Sequence, residues 1–315
     1  MGIKFDVIVV GELNVDLIMN RIDRFPEIGK EVLADAMTLT LGSSSAIFAS
    51  NLSTLGSSVT FAGKVGNDNF GDIVISSLKA KGVDTQHIIH TPSQSTGVTI
   101  VLNFQEDRAN ITYPGAMHLL TLKDISEKML NGCRHLHVSS LFLQEGLKKD
   151  IVILFKKAKE LGLTTSIDPQ WDPSEKWDID LKNLLPAVDV FMPNAKELMA
   201  ITGSSSLEQA LSEASKFQTT CVIKNGGDGA YLWDGHAMQH QPAFINKEVV
   251  DSIGAGDSFD AGFVHAFLQK KTWKACLECG ALMGAVNTTR AGGTGAFENL
   301  DKVKTIAQAT FNYTL

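Results

Sequence analysis

Residues 251–259 read Asp-Ser-Ile-Gly-Ala-Gly-Asp-Ser-Phe, an order suited to handling a phosphoryl group. Phe259, Phe263, Ala266 and Phe267 follow at i, i+4, i+7 and i+8, the apolar stripe of a helix packed on a sheet. The glycine turn therefore opens a helix. A helix's first turn offers N–H groups without intrahelical partners and the positive end of the macrodipole. Gly254, Ala255 and Gly256 carry little or no side chain, so an anion can approach those amides closely. Asp257 repels an anion and needs a task there. Taking a proton from a hydroxyl that attacks phosphorus is such a task. Capping the helix is the other reading of the same residue; the flanking glycines and Asp251 favour the first.

Two other phosphate motifs fail. A P-loop requires G-x-x-x-x-G-K-[ST], but Ser58 stands where the first glycine before Gly63-Lys64 should be, and Gly29-Lys30 is followed by Glu31. A dinucleotide fingerprint requires G-x-G-x-x-G, and Phe259 holds its third glycine position.

The elements that must carry this turn alternate along the chain. Short β-branched runs at 7–10, 59–62, 135–138, 164–167, 188–192 and 221–224 read as strands. Helical patterns lie at 45–55, 72–81, 148–161, 196–202 and 206–216. Such alternation implies right-handed crossovers and a mostly parallel sheet covered on both faces, with ligands at the carboxyl ends of its strands. Two segments break the alternation: 13–19 with 32–41, and 96–104 with 109–113 around Gln105-Glu106-Asp107. Both read as antiparallel pairs that form a small second sheet over one edge of the larger one. No repeat or long linker appears, so residues 1–315 read as one domain.

Composition narrows the function. The 315 residues include 28 basic and 35 acidic side chains, a net charge of −7 without a long basic block. Nucleic acid and an anionic membrane surface are poor partners for such a chain. No stretch reaches about 18 uninterrupted apolar residues, so a cytoplasmic protein is expected. Cys133, Cys221, Cys276 and Cys279 fit a reducing compartment. The lone C-x-x-C at 276–279 has no second pair at zinc spacing and reads as buried thiols. His135 and His137 alternate on a strand without a third ligand and read as core residues.

Residues 251–259 resemble the D-T-x-G-A-G-D-x-F signature of the ribokinase-like (phosphofructokinase B, PfkB) carbohydrate kinases, with Ser252 for Thr. The resemblance runs through nearly the whole chain in order. Residues 11–16 resemble the opening G-E-x-x-x-D segment, and 42–71 the first family signature, with Leu55-Gly56 and 63–71. Asn194-Ala195-Lys196-Glu197 resembles N-x-x-E, and 222–230 the strand and glycine turn before the nucleotide pocket.

The resemblance implies a three-layer α/β/α sandwich with a small β lid, about residues 11–41 and 96–115. It implies an ATP-dependent kinase acting on a hydroxyl of a monosaccharide or close relative. Asp257 would be the base, and the amides of Gly254, Ala255, Gly256 and Asp257 would hold the transferring group. Asn194 and Glu197 would lie near Mg²⁺ and the ATP phosphates, partly through water, though the same pair reads as a capping box. Lys224, Gly226 and Gly229 would border the nucleotide; Lys224 as a solvated strand-end lysine is the other reading. A monovalent cation is a further candidate.

Asn14 and Asp16 share one face of a strand, an amide beside an acceptor suited to sugar hydroxyls; the resemblance makes Asp16 a substrate ligand. Gly42 and Ser43 fall at the sugar end, but the pattern departs there. Gly-Gly is usual at 42–43 and Asn near 47, where this chain has Gly42-Ser43-Ser44-Ser45-Ala46-Ile47. Ile47 cannot donate to a hydroxyl; Ser43 to Ser45 either replace it or cap the helix. Arg108 beside the hairpin turn is within reach of an anionic acceptor such as a sugar acid, or is a loop charge. The exposed lid strands suggest pairing between two copies. A nucleoside kinase on the same scaffold and a non-catalytic sugar-binding protein are the alternatives.

Overall fold

A computed structural model describes residues 2–104 and 107–315. Its strands, in chain order, are β1 (Phe5–Val10), β2 (Asn14–Ile22), β3 (Ala34–Leu41), β4 (Val59–Gly66), β5 (Asp84–Thr91), β6 (Gly97–Phe104), β7 (Asp107–Tyr113), β8 (Cys133–Ser139), β9 (Thr164–Asp168), β10 (Val190–Phe191), β11 (Thr220–Lys224), β12 (Ala230–Trp233) and β13 (Met238–Gln241). Nine form the large sheet, in the order β13-β12-β11-β10-β9-β8-β1-β4-β5. From β11 to β5 every neighbouring pair is parallel; β11-β12-β13 is an antiparallel edge.

The sheet is apolar on both faces, as a parallel sheet between helices must be. Along β1, Val7 and Val9 point into one core with Phe48, Phe259 and Phe263, while Ile8 and Val10 point into the other with Leu154, Phe155 and Leu198. The first core is roofed by the helices Ser44–Thr54, Ala255–Leu268 and Trp273–Asn287, the second by Ile151–Glu160, Ala195–Thr202 and Leu207–Ala214. This is the three-layer α/β/α sandwich expected from the sequence. The chain leaves β1 toward β4 on one side and returns to β8 on the other. Ligands in open α/β sheets collect at such a divergence, and Glu12 and Ser140 lie there.

Several boundaries move for physical reasons. The strand expected at 188–192 shrinks to Val190–Phe191, because Pro186 sits in the preceding 3₁₀ turn and Pro193, which has no N–H, follows. The helix expected at 148–161 is two pieces, Glu145–Lys148 and Ile151–Glu160. Strands β5, β12 and β13, at or next to an edge of the sheet, lack a strand signal in the sequence, since half-exposed strands carry no continuous apolar run.

The second sheet has the order β3-β2-β6-β7. Both expected antiparallel pairs form, β2 with β3 and β6 with β7, and they join through a parallel β2–β6 contact. One face carries Asn14, Asp16, Thr99 and Thr112; the opposite face carries Leu39, Leu17, Ile100 and Ile111 in register.

Candidate active site

Asp257 stands in the first turn of the Ala255–Leu268 helix, whose cap is Gly254 in the left-handed region at φ 74°. Any side chain on Gly254 would overlap Gly293 Cα at 2.6 Å and crowd Ile47 Cγ2 at 3.1 Å. The turn is braced from below. Asn51 Nδ2 donates to Ser258 Oγ and to the Gly293 carbonyl, both at 2.9 Å. Ser258 Oγ lies 2.7 Å from the Gly254 carbonyl and 3.0 Å from Asn287 Oδ1, and Asn287 Nδ2 donates to the Ile253 carbonyl at 2.6 Å. Asp251 accepts from the Ile253 N–H at 2.9 Å and the Gly292 N–H at 2.8 Å. A preorganised amide turn needs such bracing. No local signal marks Asn51, Ser258 or Asn287, each an ordinary helix residue until the three helices that carry them pack together.

Asp257 is buried, and its neighbours are unusual. Burial first, and then the Asp168 carboxylate, push its pKa up to about 7, against the pull of Lys224; Ser44 donates a hydroxyl hydrogen bond to it. Lys224 is neither solvated nor at the rim. Its Nζ lies 2.7 Å from Asp168 Oδ2 and 2.9 Å from Asp260 Oδ2, with both acids 1% exposed. Burial works against this ammonium, but Asp168 and Asp260 outweigh it and hold its proton far above the usual lysine range. Burial likewise raises Asp260 well above the usual carboxyl range despite Lys224. Asp168 ends β9 and Asp260 follows Asp257 by three residues, on the same helix face. An acid inside an apolar stripe was the available signal for Asp260.

Asn194 and Glu197 do form a capping box at the start of the Ala195–Thr202 helix. The Asn194 N–H donates to Glu197 Oε2 at 2.8 Å, Asn194 Nδ2 donates to Oε1, and the Glu197 N–H donates to Asn194 Oδ1 at 2.9 Å. Burial, then the Asp168 charge, raise the Glu197 pKa. An isolated parallel bridge ties Asn194 to Lys224, so this cap and the ionic cluster share one edge. Gly226 and Gly229 border the same cavity; at Gly229, with φ 89°, a Cβ would lie 2.0 Å from the Gln241 carbonyl oxygen.

At the other end, Asn14 Nδ2 donates to Asp16 Oδ1 at 2.9 Å and Thr99 Oγ1 at 3.1 Å. Gly42 is pressed onto them: a Cβ there would sit 2.2 Å from Asp16 Oδ1. Ser43 is committed as a helix cap. It accepts from the Ala46 N–H at 2.9 Å and lies 2.6 Å from the Glu12 carbonyl. Buried Glu12 accepts from the Ser45 N–H at 3.1 Å and from the Ser45 hydroxyl; burial raises its pKa against these bonds. Ile47 packs on Gly293 and Gly254. The Arg108 side chain lies outside the described residues, as do Gln105 and Glu106. One cavity of about 1400 Å³ runs from Asn14 and Asp16 past Asp257 to Lys224, Gly226 and Thr288.

His135 and His137 are core residues in a polar ladder with Thr164, Ser166 and Ser139, every link 2.7–2.8 Å long. Burial depresses the His135 pKa to about 3 and that of His137 as well.

The sandwich, its small sheet and the glycine turn define the ribokinase-like class of α/β proteins. Ribokinase from Arabidopsis thaliana, complexed with ribose and ATP, superposes with a TM-score of 0.82 over 98% of this chain and 100% of that one, at 21% identity. An E. coli protein named as a candidate ribokinase II, in complex with ATP and Mg²⁺, gives 0.83 over 97% and 99%, at 24% identity. At such identities the likeness shows the fold. The chain belongs to the pfkB family of carbohydrate kinases, whose family model matches residues 4–300. Ribokinase of Lactococcus lactis is 25% identical over 303 residues, covering 95% of both chains.

Proposed function

We propose that this chain is an ATP-dependent kinase that transfers the γ-phosphoryl group to a hydroxyl of a monosaccharide or sugar derivative, residues 1–315 acting as one domain. The observation that carries this reading is the setting of Asp257: a buried carboxyl with a pKa near 7, at an open helix N-terminus, inside a cavity with room for two reactants. The relatives complexed with ATP, and with ATP and Mg²⁺, support the choice of donor.

Asp257 takes the proton from the attacking oxygen of the acceptor. A base whose pKa lies near the working pH is half ionised there and still basic enough to accept. The amides of Gly254, Ala255, Gly256 and Asp257 stabilise charge on the transferring oxygens. Asn14 and Asp16 bind acceptor hydroxyls, with Gly42 as the floor that sets their position; Ser43 serves by holding the helix start. Arg108 is kept for an anionic group on the acceptor. Lys224, Gly226 and Gly229 border the nucleotide.

Asn194 and Glu197 fit Mg²⁺ only through water, since Glu197 already accepts from Asn194 at both oxygens; Mg²⁺ keeps several waters and suits such a site. Bound there, the ion would neutralise phosphate charge. No His/Cys/Asp/Glu group of three or more that could hold a metal directly occurs among the described residues.

On the outer face of the small sheet Met37 and Ile111 are each 62% exposed, beside Leu39 and Tyr113. An apolar face of this kind supports a homodimer through the lid. Among the described residues no helix is long and apolar enough to cross a membrane; four free cysteines fit a cytoplasmic setting.

Purified protein with ATP and Mg²⁺, screened against pentoses, hexoses, sugar acids and nucleosides by ADP release, tests the reading. Acceptor-dependent ADP with a sugar or sugar acid supports it. Turnover with nucleosides alone moves the acceptor class, and sugar binding without any turnover makes the chain a binding protein.

A further inference from the structure

The segment that follows β9 holds more backbone strain than its length warrants. Gln170, Glu175 and Trp177, none of them glycine, have φ of 59°, 53° and 52°. A left-handed residue that is not glycine is disfavoured and persists only where its surroundings dictate it. Here Asp172 is the staple: its carboxylate accepts from the Ser174 N–H and hydroxyl, both at 2.8 Å, and from the Trp177 N–H at 2.7 Å. The Trp177 ring then wedges edge-on between Trp171 at 5.0 Å and Phe142 at 5.5 Å. Strain held this firmly has a product.

The product is the placement of one amide. Gln170 Nε2 donates to Asp168 Oδ2 at 2.7 Å and to Asp257 Oδ1 at 3.0 Å. A carboxamide nitrogen has two hydrogens, and both are spent on carboxylates that belong to different elements. The orientation of the amide follows from its partners, because its NH₂ donates while its oxygen only accepts, and both partners are carboxyl oxygens. Asp168 is a fixed anchor, held by Lys224, which Asp260 holds in turn. The chain of contacts therefore runs from Asp260 and Lys224 through Asp168 and Gln170 to Asp257.

We propose that Gln170 is a positioning residue for Asp257: its amide fixes one oxygen of the base and favours the ionised carboxylate over the acid. The proposal rests on the reading of Asp257 as base and names how that base is held. Other groups act on Asp257 as well: Glu12 beyond β1, Ser44 at the start of the Ser44–Thr54 helix, Asp168 and Lys224 at the ends of β9 and β11, and Glu197, with Asp260 one turn along its own helix. Of the charged groups among them only Lys224 favours its ionised form, so losing the Gln170 hydrogen bond leaves a site that favours the acid.

The test needs no acceptor. In full-length protein labelled with ¹³C-carboxyl aspartate, Asp257→Asn identifies the Asp257 signal, and its titration midpoint is read in wild type, Gln170→Ala and Gln170→Met. Both replacements are expected to raise the midpoint by about 1 unit, the scale of one lost charge-assisted hydrogen bond. Gln170→Met keeps the side-chain length without a donor or a new charge and serves alone if Gln170→Ala does not fold. A merely structural Gln170 would lower the melting temperature and leave the midpoint where it was, and an unmoved or lowered midpoint overturns the proposal. With an accepted substrate, kcat should fall about 10-fold while KM for ATP stays unchanged. Normal turnover by Asp257→Asn would instead remove the reading of Asp257 as base, whatever Gln170 does to its titration.

Discussion

Replacing Asp257 by Asn should stabilise the protein above neutral pH while removing its activity. The side chain keeps its shape and loses only its charge. In the folded chain the carboxyl titrates near 7, against an ordinary 3.8. Between those values the folded state keeps a proton that the unfolded state has released. Stability is therefore fully present below pH 3.8 and declines as pH rises toward 7. The gap corresponds to about 4 kcal/mol at pH 8. Asn does not ionise and escapes this cost. The difference between variant and wild type should be close to zero near pH 3.5 and reach about 4 kcal/mol at pH 8, a melting shift on the order of 10 °C. Turnover should fall by about 10²–10⁴, and wild-type kcat/KM should rise as pH climbs through about 7, since the base must be ionised. Urea melts at the two pH values and a pH–rate profile measure both halves. A variant no more stable than wild type at pH 8, or equally favoured at both pH values, would refute the burial argument; retained turnover would refute the role.

Three further outcomes follow from contacts described above. Gly42→Ala drives a methyl group into Asp16 and Asn14, so KM for the acceptor should rise at least about 10-fold with KM for ATP unmoved, as expected when one binding site alone is disturbed; an unchanged acceptor KM removes those residues from the sugar site. Asn51→Ala deletes two buried hydrogen bonds that tie the glycine turn to its neighbouring helix, at a cost of about 2–3 kcal/mol in urea unfolding, and a cost under about 0.5 kcal/mol would show the turn to be held without it. Met37→Glu together with Ile111→Glu should convert a lid-paired dimer to monomer by light scattering, since burying charge on an apolar face is costly; a dimer that persists lies elsewhere on the molecule.

The fold was legible where chemistry and periodicity coincide. β1, β8 and the glycine-led helix 255–268 are buried on both sides or carry a full apolar stripe, and their sequences say so. β5, β12 and β13 were illegible because strands at or next to a sheet edge leave many side chains partly in water. The site divided in the same way. Asp257, Gly254, Asn14 and Asp16 stand in short segments whose residue types imply contact with a ligand. Asp168, Gln170, Asp260 and Asn51 meet only through tertiary packing, so no local spacing exposes them. Lys224 was legible as a residue and illegible as an environment, because its two acids lie 56 and 36 positions away. Ser43 shows the converse: its cap is readable from its place before a helix, while its hydrogen bond to the Glu12 carbonyl, 31 residues upstream, is not.

The parallel seam between β2 and β6 has a mechanical consequence. Six registered pairs, from Asn14–Gly97 to Met19–Leu102, weld the two hairpins into one plate hung from the main body by separate stretches of chain. Asp16, Thr99 and Thr112 cannot shift independently, so the spacing of their side chains is set by backbone pairing and not by any one residue.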